Sequence, residues 1–242
     1  YDTDAPLEAD VSIPKKPKKW YLRVWYWVKY GRHLKKKSGT PPFTFPEYTD
    51  IEGLRKYGKY LHVGEEVTCS EKIHGSCFAA SFHKGKFWVR SHHQFKGRPS
   101  KKGILDNFWQ AVYSADLEEK LQQVPGFAFY GEVYGKVQKG FGYDKAGGIR
   151  VRFFDAMDLN TLRYLDYDDF VALCDKLGLE RVPELYRGPW SEDLKKLAEG
   201  QSTLADHIRE GFVVKPVKER HEHCGRVVFK MVGESYLLRK NG

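Results

Sequence analysis

The sequence predicts an α+β domain built on largely antiparallel sheets, with helices on the outside. Two observations predict it. Strand-like segments fall at both ends of the region after Phe43, with helix-like segments inserted irregularly between them. The hydrophobic fraction, 41% of 242 residues, is enough for a real core.

Residues 1–42 stand apart from the rest. DAPLEADVSIPKKPKKW is proline-rich and charged, the composition of an extended linker. WYLRVWYWVKYGRHLKKK then mixes rings with cations. It reads as an aromatic segment packed on the main domain with a solvated basic end, or as an arm that stacks on bases and meets phosphates. GTPPF marks the boundary, so the expected division is an arm over 1–42 and a main domain over 43–242.

Within that domain EEVTCSEKI, SCFAASF and KFWVRS read as successive short strands, with HKGK as a turn between the last two. ILDNFWQAVYSADLEEKLQQV carries apolar residues from Ile104 to Leu121 at the spacing of one amphipathic helix. PGFAFYGEVYG and IRVRFFDAMDL read as core strands. DYDDFVALCDKLG is a second helix, with Gly178 as its stop. Ser191-Glu192-Asp193 opens a short third helix, and Thr203-Leu204-Ala205-Asp206 resembles a capping box before a further helical turn. EGFVVKPV and GRVVFKMV close the domain as strands.

Lysine and arginine number 41 against 32 acidic residues, a net charge of +9 that favours a polyanionic partner. A membrane is not expected: WYLRVWYWVKY is interrupted by Arg23 and Lys29 and is too short to span a bilayer. No signal peptide is visible, and the start at Tyr1 leaves room for residues upstream. The four cysteines form no CxxC pair and read as reduced thiols of an intracellular protein. His221, His223 and Cys224 lack a second ligand pair at zinc-site spacing, so HEHC reads as a surface turn.

Four strand segments each carry a charge in an apolar or glycine-flanked setting: Lys72 in SEKIHG, Glu132 in YGEVYG, Glu210 in REGFVVKP and Lys230 in VVFKMV. Charges are rarely buried unless paired or functional. With Arg90 in WVRS they supply the cations and carboxylates that hold a nucleoside triphosphate and its magnesium.

In order, EKIHGS, WVRS, FYGEVYG, HIREGFVVKP and VVFKMV resemble five motifs of ATP-dependent polynucleotide ligases, with VRFFDAMD, between the third and fourth, resembling their adenine-stacking segment, from about Phe43 to Lys240. The histidine of KIHG makes the chain most similar to the small RNA ligases of the second phage type. The resemblance implies a nucleotidyltransferase fold, ATP-grasp-like, with antiparallel sheets flanking a nucleotide cleft. It implies ATP and Mg2+ or Mn2+ as cofactors. It also implies RNA as partner, as a nicked duplex or broken ends with a 3′-hydroxyl and a 5′-phosphate, acted on by a monomer.

Under the same resemblance Lys72 attacks the α-phosphorus of ATP to give a lysyl-adenylate. AMP then passes to an RNA 5′-phosphate, and a 3′-hydroxyl seals the strand. A free lysine is protonated up to about pH 10.4, so neighbouring cations are expected to help expose the amine. The resemblance places Glu71 and Ile73 beside the nucleotide and His74 near the phosphate that receives AMP. It gives Arg90 the ribose or the 5′-phosphate, and Glu132 a ribose hydroxyl or a metal's water shell. Phe154 stacks on adenine, with Phe153 as the alternative, because alternation along a strand sends the two rings to opposite faces. Glu210 binds the metal; Lys215 and Lys230 neutralise triphosphate oxygens.

Two positions depart from the pattern. Cys77 stands where the family often has asparagine. Lys230 is the single lysine of the fifth motif, leaving Arg239 or Lys240 to replace the second. The chain runs only about ten residues past VVFKMV, so a C-terminal oligonucleotide-binding module is not expected. An accessory OB-type module ahead of the domain would fit the start, and without one self-adenylation is expected to survive while sealing weakens. The rival readings are a DNA ligase, an mRNA guanylyltransferase, or an RNA-binding protein whose transferase domain has weakened.

Overall fold

The computed structural model describes residues 41, 43–99, 105–137, 142–143 and 147–241. The expected arm over 1–42 therefore lies, but for Pro41, outside the described residues. Two five-stranded sheets form the body of the described chain. The first runs in the order β1 (Glu52–Gly53), β12 (Phe229–Val232), β9 (Gly211–Pro216), β2 (Glu66–Glu71) and β8 (Glu184–Pro189). The second runs β4 (Lys86–Ser91), β3 (Ser76–His83), β5 (Phe127–Tyr134), β6 (Arg150–Asp158) and β7 (Arg163–Tyr164). Every pairing in the two is antiparallel except β1 with β12. The α+β expectation with largely antiparallel sheets holds.

Helices cover the second sheet. α2 (Asn107–Ser114), α3 (Leu117–Gln122) and α4 (Tyr167–Leu177) bury Trp109, Val112, Leu117, Leu121 and Phe170 against Phe78, Phe129 and Phe153. The first sheet has its own core, in which Leu54 of α1 (Leu54–Tyr57) and Trp190 pack on Val67, Phe212, Val214 and Phe229. Gly178 ends α4 in the left-handed region at φ +59°, where Leu179 N–H bonds back to Cys174 O.

Two expectations change. The single helix over 104–124 is two, because Asp116 adopts φ +51° and turns the chain. Asp106 caps the first through Trp109 N–H, and Glu118 and Glu119 sit in the first turn of the second, where the helix dipole favours them. The capping box at Thr203 does not form: Thr203 gives its N–H and its hydroxyl to Glu71 instead, at 2.8 and 2.7 Å. Ser191-Glu192-Asp193 does open a helix, of 3-10 type, over Glu192–Ala198. HEHC is a hairpin of β10 (His221–Glu222) and β11 (Gly225–Arg226).

The link between the sheets places the site. β2 ends at Glu71, Lys72 N–H still bonds to Gly211 O at 3.0 Å, and four residues later the chain enters the second sheet as β3. The segment 72–75 is thus the crossing from one sheet to the other, beside the cleft they enclose. No helix among the described residues is long and apolar enough to cross a membrane.

Candidate active site

The cleft has a volume of about 210 Å³, several times the space of one water. One wall comes from the first sheet: Ser70, Glu71, Lys72 and Ile73 from β2 and its continuation, Val213 and Lys215 from β9, Lys230 from β12. The other comes from Cys77 on β3, Glu132 on β5 and Phe154 on β6. Tyr48, Thr49, Asp50, Ile51, Val182 and His92 complete the rim.

Lys72 Nζ lies 2.9 Å from Glu210 Oε1, in an ion pair with both side chains mostly shielded from solvent. The ionic partner of the candidate nucleophile is thus a carboxylate, where the sequence led us to expect cations. Glu210 also approaches His74, with Oε2 3.5 Å from Nδ1. His74 is held from two further sides: its N–H donates to the Tyr143 hydroxyl at 2.9 Å, and its Nδ1 lies 2.7 Å from the hydroxyl of Tyr236. Tyr236 belongs to α5 (Glu234–Asn241), an element with no counterpart in the sequence reading.

Glu132 faces this pair from the opposite sheet. Burial pushes its carboxyl up to about 7, against the pull of Lys72 and with a further push from Glu210. Gly75 lets that approach happen. A Cβ there would collide with the Val133 carbonyl oxygen and stand 2.9 Å from Glu132 Cγ. Gly211, which follows Glu210, is the second such position: at φ +151° its backbone runs so close to β12 that a Cβ would meet Met231 O.

The choice between the two phenylalanines is made by a bulge. Tyr130 pairs with Asp155 and Gly131 with Phe153, so Phe154 is the extra residue on β6. The interruption re-aims its ring into the cleft, edge-on to Tyr48 with centroids 4.8 Å apart, while Phe153 stays in the core. Lys215 and Val213 share a face of β9 by alternation, and Lys230 pairs opposite Val213, so both lysines reach the same wall. Lys215 therefore joins Lys72 and Lys230 on that wall, its Nζ donating to Asp155 and to the Phe154 carbonyl. Arg239 is not among the lining residues, and the side chain of Lys240 lies outside the described ones.

Not every candidate points inward with free atoms. Glu71 lines the cleft, but its carboxylate accepts from Ser202 Oγ at 2.5 Å and from Thr203. Ile73 is 3% exposed and offers the cleft an apolar surface. Arg90 is outside the lining. It is buried and bonds the carbonyls of Phe45, Ser91 and His92 and the carboxylate of Glu47. Cys77 faces Glu132 across the β3–β5 pair, and burial, with that carboxylate, holds its thiol up at about 12.

A buried network absent from the sequence reading joins the sheets. Asp155, fully buried, accepts from Lys215 Nζ at 3.0 Å, Arg226 Nη2 at 2.6 Å and the Tyr48 hydroxyl at 2.9 Å. Arg226 also holds Glu219 and lies 3.6 Å over the Tyr164 ring. Burial pushes the Asp155 carboxyl up, but Arg226 and then Lys215 outweigh it and hold it below the usual carboxylate range. The signal was the one used elsewhere: RFFDAMD puts one acid inside an apolar strand.

A family model described as RNA ligase matches residues 65–232. No curated protein matches. Among solved structures the fold is similar to that of an RNA ligase from Naegleria gruberi. Its structure with PPi aligns over 86% of this chain and 62% of its own, at 22% identity and a TM-score of 0.70. A lysine-to-alanine variant with ATP and Mn aligns over 83% and 59%, at 22% identity and 0.69. A glutamate-to-alanine variant with AMP and Mn gives the same figures. The chain spans about three-fifths of the length of these relatives.

Proposed function

This chain belongs to the RNA ligase family, and from that premise we propose that it joins RNA ends at the expense of ATP through a lysyl-adenylate on Lys72. One observation carries the reading. Lys72, Glu132, Phe154, Lys215 and Lys230, from five separate strands or strand ends, line one cleft, and Glu210, outside the lining, is bound to it through Lys72. Residues 43–242 act as the adenylyltransferase unit, and 1–42 as a basic, aromatic linker or arm.

The donor set fits a hard divalent cation. Glu132 and Glu210 offer carboxylate oxygens, and burial, which raises the Glu132 carboxyl despite the lysine that faces it, makes a cation there favourable. Bound there, Mg2+ or Mn2+ supplies positive charge beside the nucleophile and the α-phosphate. A cation held by Glu210 would compete with Lys72 for the carboxylate that now pairs with it, and so would leave the Lys72 amine placed for attack. Phe154 and Ile73 enclose the base from either wall. Lys215 and Lys230 offset charge on the triphosphate as pyrophosphate departs. His74, gripped by Tyr143 and Tyr236, stands beside Glu210 to steer the RNA 5′-phosphate that takes AMP from Lys72.

The test is covalent labelling. The protein is incubated with Mg2+ or Mn2+ and either ATP or GTP, and its intact mass is recorded. ATP is expected to add one AMP, GTP nothing, and Lys72→Ala is expected to stay unmodified while keeping its far-UV spectrum. Transfer is then followed on nicked RNA against nicked DNA. Labelling by GTP alone would convert the reading to a guanylyltransferase, and labelling of Lys72→Ala would place the nucleophile elsewhere.

A further inference from the structure

A second set of donor atoms gathers at the rim of the cleft and includes none of the groups assigned above to AMP transfer. Glu47 and Asp50 come from the segment before β1, His92 and His93 from the turn after β4. Glu47 Oε2 lies 3.4 Å from His93 Nδ1 and 3.9 Å from His92 Nε2, and His92 Nε2 lies 3.5 Å from Asp50 Oδ1. The Glu47, His92 and His93 donors all lie within 4.8 Å of one another. Nitrogen and oxygen ligands about 2.0–2.1 Å from a tetrahedral zinc stand roughly 3.3–3.5 Å apart. The separations from Glu47 to the two imidazoles, 3.4 and 3.9 Å, are close to that spacing.

The surroundings hold these donors in place. Arg90 is buried, and its guanidinium donates at once to Glu47 Oε1 at 3.0 Å, to His92 O at 2.7 Å and to Phe45 O. One carboxylate oxygen is thereby fixed, and the other is turned toward the imidazoles. The turn itself is closed by Ser91 N–H on Gln94 O at 2.8 Å and by Gln94 N–H on Ser91 Oγ at 3.2 Å. The two rings meet edge to face, with centroids 4.3 Å apart. Outer partners that orient ligating groups in this way are what a metal site needs beyond its ligands.

We propose that Glu47, His92 and His93 bind a transition-metal dication of the zinc class. Two imidazoles with a carboxylate suit zinc, cobalt or nickel, whereas magnesium and calcium take oxygen ligands. The site is therefore chemically distinct from the Glu132–Glu210 pair. Its consequence is mechanical. Tyr48, Thr49, Asp50, Ile51 and His92 form the rim of the cleft, and the metal clasps segment 47–50 to the β4 turn. The inference does not depend on AMP transfer, because metal binding is read directly.

The experiment uses the full chain, stripped of metal with a chelator and titrated with Zn2+ alone by calorimetry, with bound metal counted by mass spectrometry. The chain is expected to take up one tightly bound equivalent. The double variant His92→Asn/His93→Asn and the single variant Glu47→Gln are expected to lose it. His221→Asn/His223→Asn, which removes the other histidine pair near a cysteine, is expected to keep it. An absent equivalent, or one that survives in His92→Asn/His93→Asn, overturns the proposal. Should that double variant not fold, Co2+ bound to the unaltered protein decides. A tetrahedral spectrum without a thiolate charge-transfer band supports the site, and a thiolate band overturns it.

Discussion

Glu132→Gln separates the chemistry of the cleft from its stability. In the folded protein the carboxyl of Glu132 titrates at about 7, against an ordinary value of 4.5. Between those two pH values the folded protein holds a proton that the unfolded chain has released. Stability therefore falls as pH rises through that window, and it levels off above about 7. At 1.36 kcal/mol per pH unit the gap is worth about 3 kcal/mol, present as a penalty at pH 8 and absent below pH 4.5. Glutamine keeps the shape and removes the charge. The variant is thus expected to match the natural protein in urea unfolding near pH 4.5, and to exceed it by up to about 3 kcal/mol at pH 8, without nucleotide or metal. It is expected to form no adenylate at either pH. A stability difference that does not grow with pH, or glutamine the less stable at pH 8, refutes the electrostatic account of this carboxylate.

Three further substitutions test other parts of the site. Asp155→Asn leaves Lys215 buried without a full counter-charge, and breaking a buried pair in this way costs about 3–5 kcal/mol; urea unfolding at neutral pH checks it. Gly75→Ala places a methyl group against Val133 O and the Glu132 side chain; a displacement of about 1 Å at a reacting group costs on the order of 100-fold, so single-turnover adenylation is expected to fall that far with the fold retained. Phe154→Ala removes the ring that the bulge aims into the cleft; stacking on a base is worth about 1–3 kcal/mol, and equilibrium ATP binding is expected to weaken accordingly.

What the sequence disclosed and what it hid follow from the range of the interactions. Lys72, Glu132, Glu210 and Lys230 were legible because each breaks an apolar or glycine-flanked strand, and a local violation of burial is visible in one dimension. The strands that hold them were legible for the same reason, as alternating apolar runs. β8 was not, since Gly188 and Pro189 disguise its end as a turn and its identity comes from pairing with β2. The break at Asp116 was hidden inside a continuous helical spacing, because one residue at positive φ leaves the apolar pattern intact on both sides. Arg90 was misjudged by its motif position: its partners Phe45 and Glu47 lie more than forty residues away in sequence. The Phe153–Phe154 ambiguity could be resolved only by the register slip between β5 and β6.

The charges explain why one set closes on itself and the other awaits a ligand. Asp155 and Glu219 face Lys215 and Arg226, two against two; Asp155, Lys215 and Arg226 are buried and Glu219 is half-buried. Glu132 and Glu210 face Lys72, with His74 beside Glu210, and burial raises the Glu132 carboxyl more than Lys72 lowers it. A balanced buried network ties the sheets whatever occupies the cleft. An unbalanced one across the same gap is stable only with a proton or a cation added. A dication held by Glu132 competes with that proton, so its affinity should rise as pH increases through about 7, where Glu132 ionises.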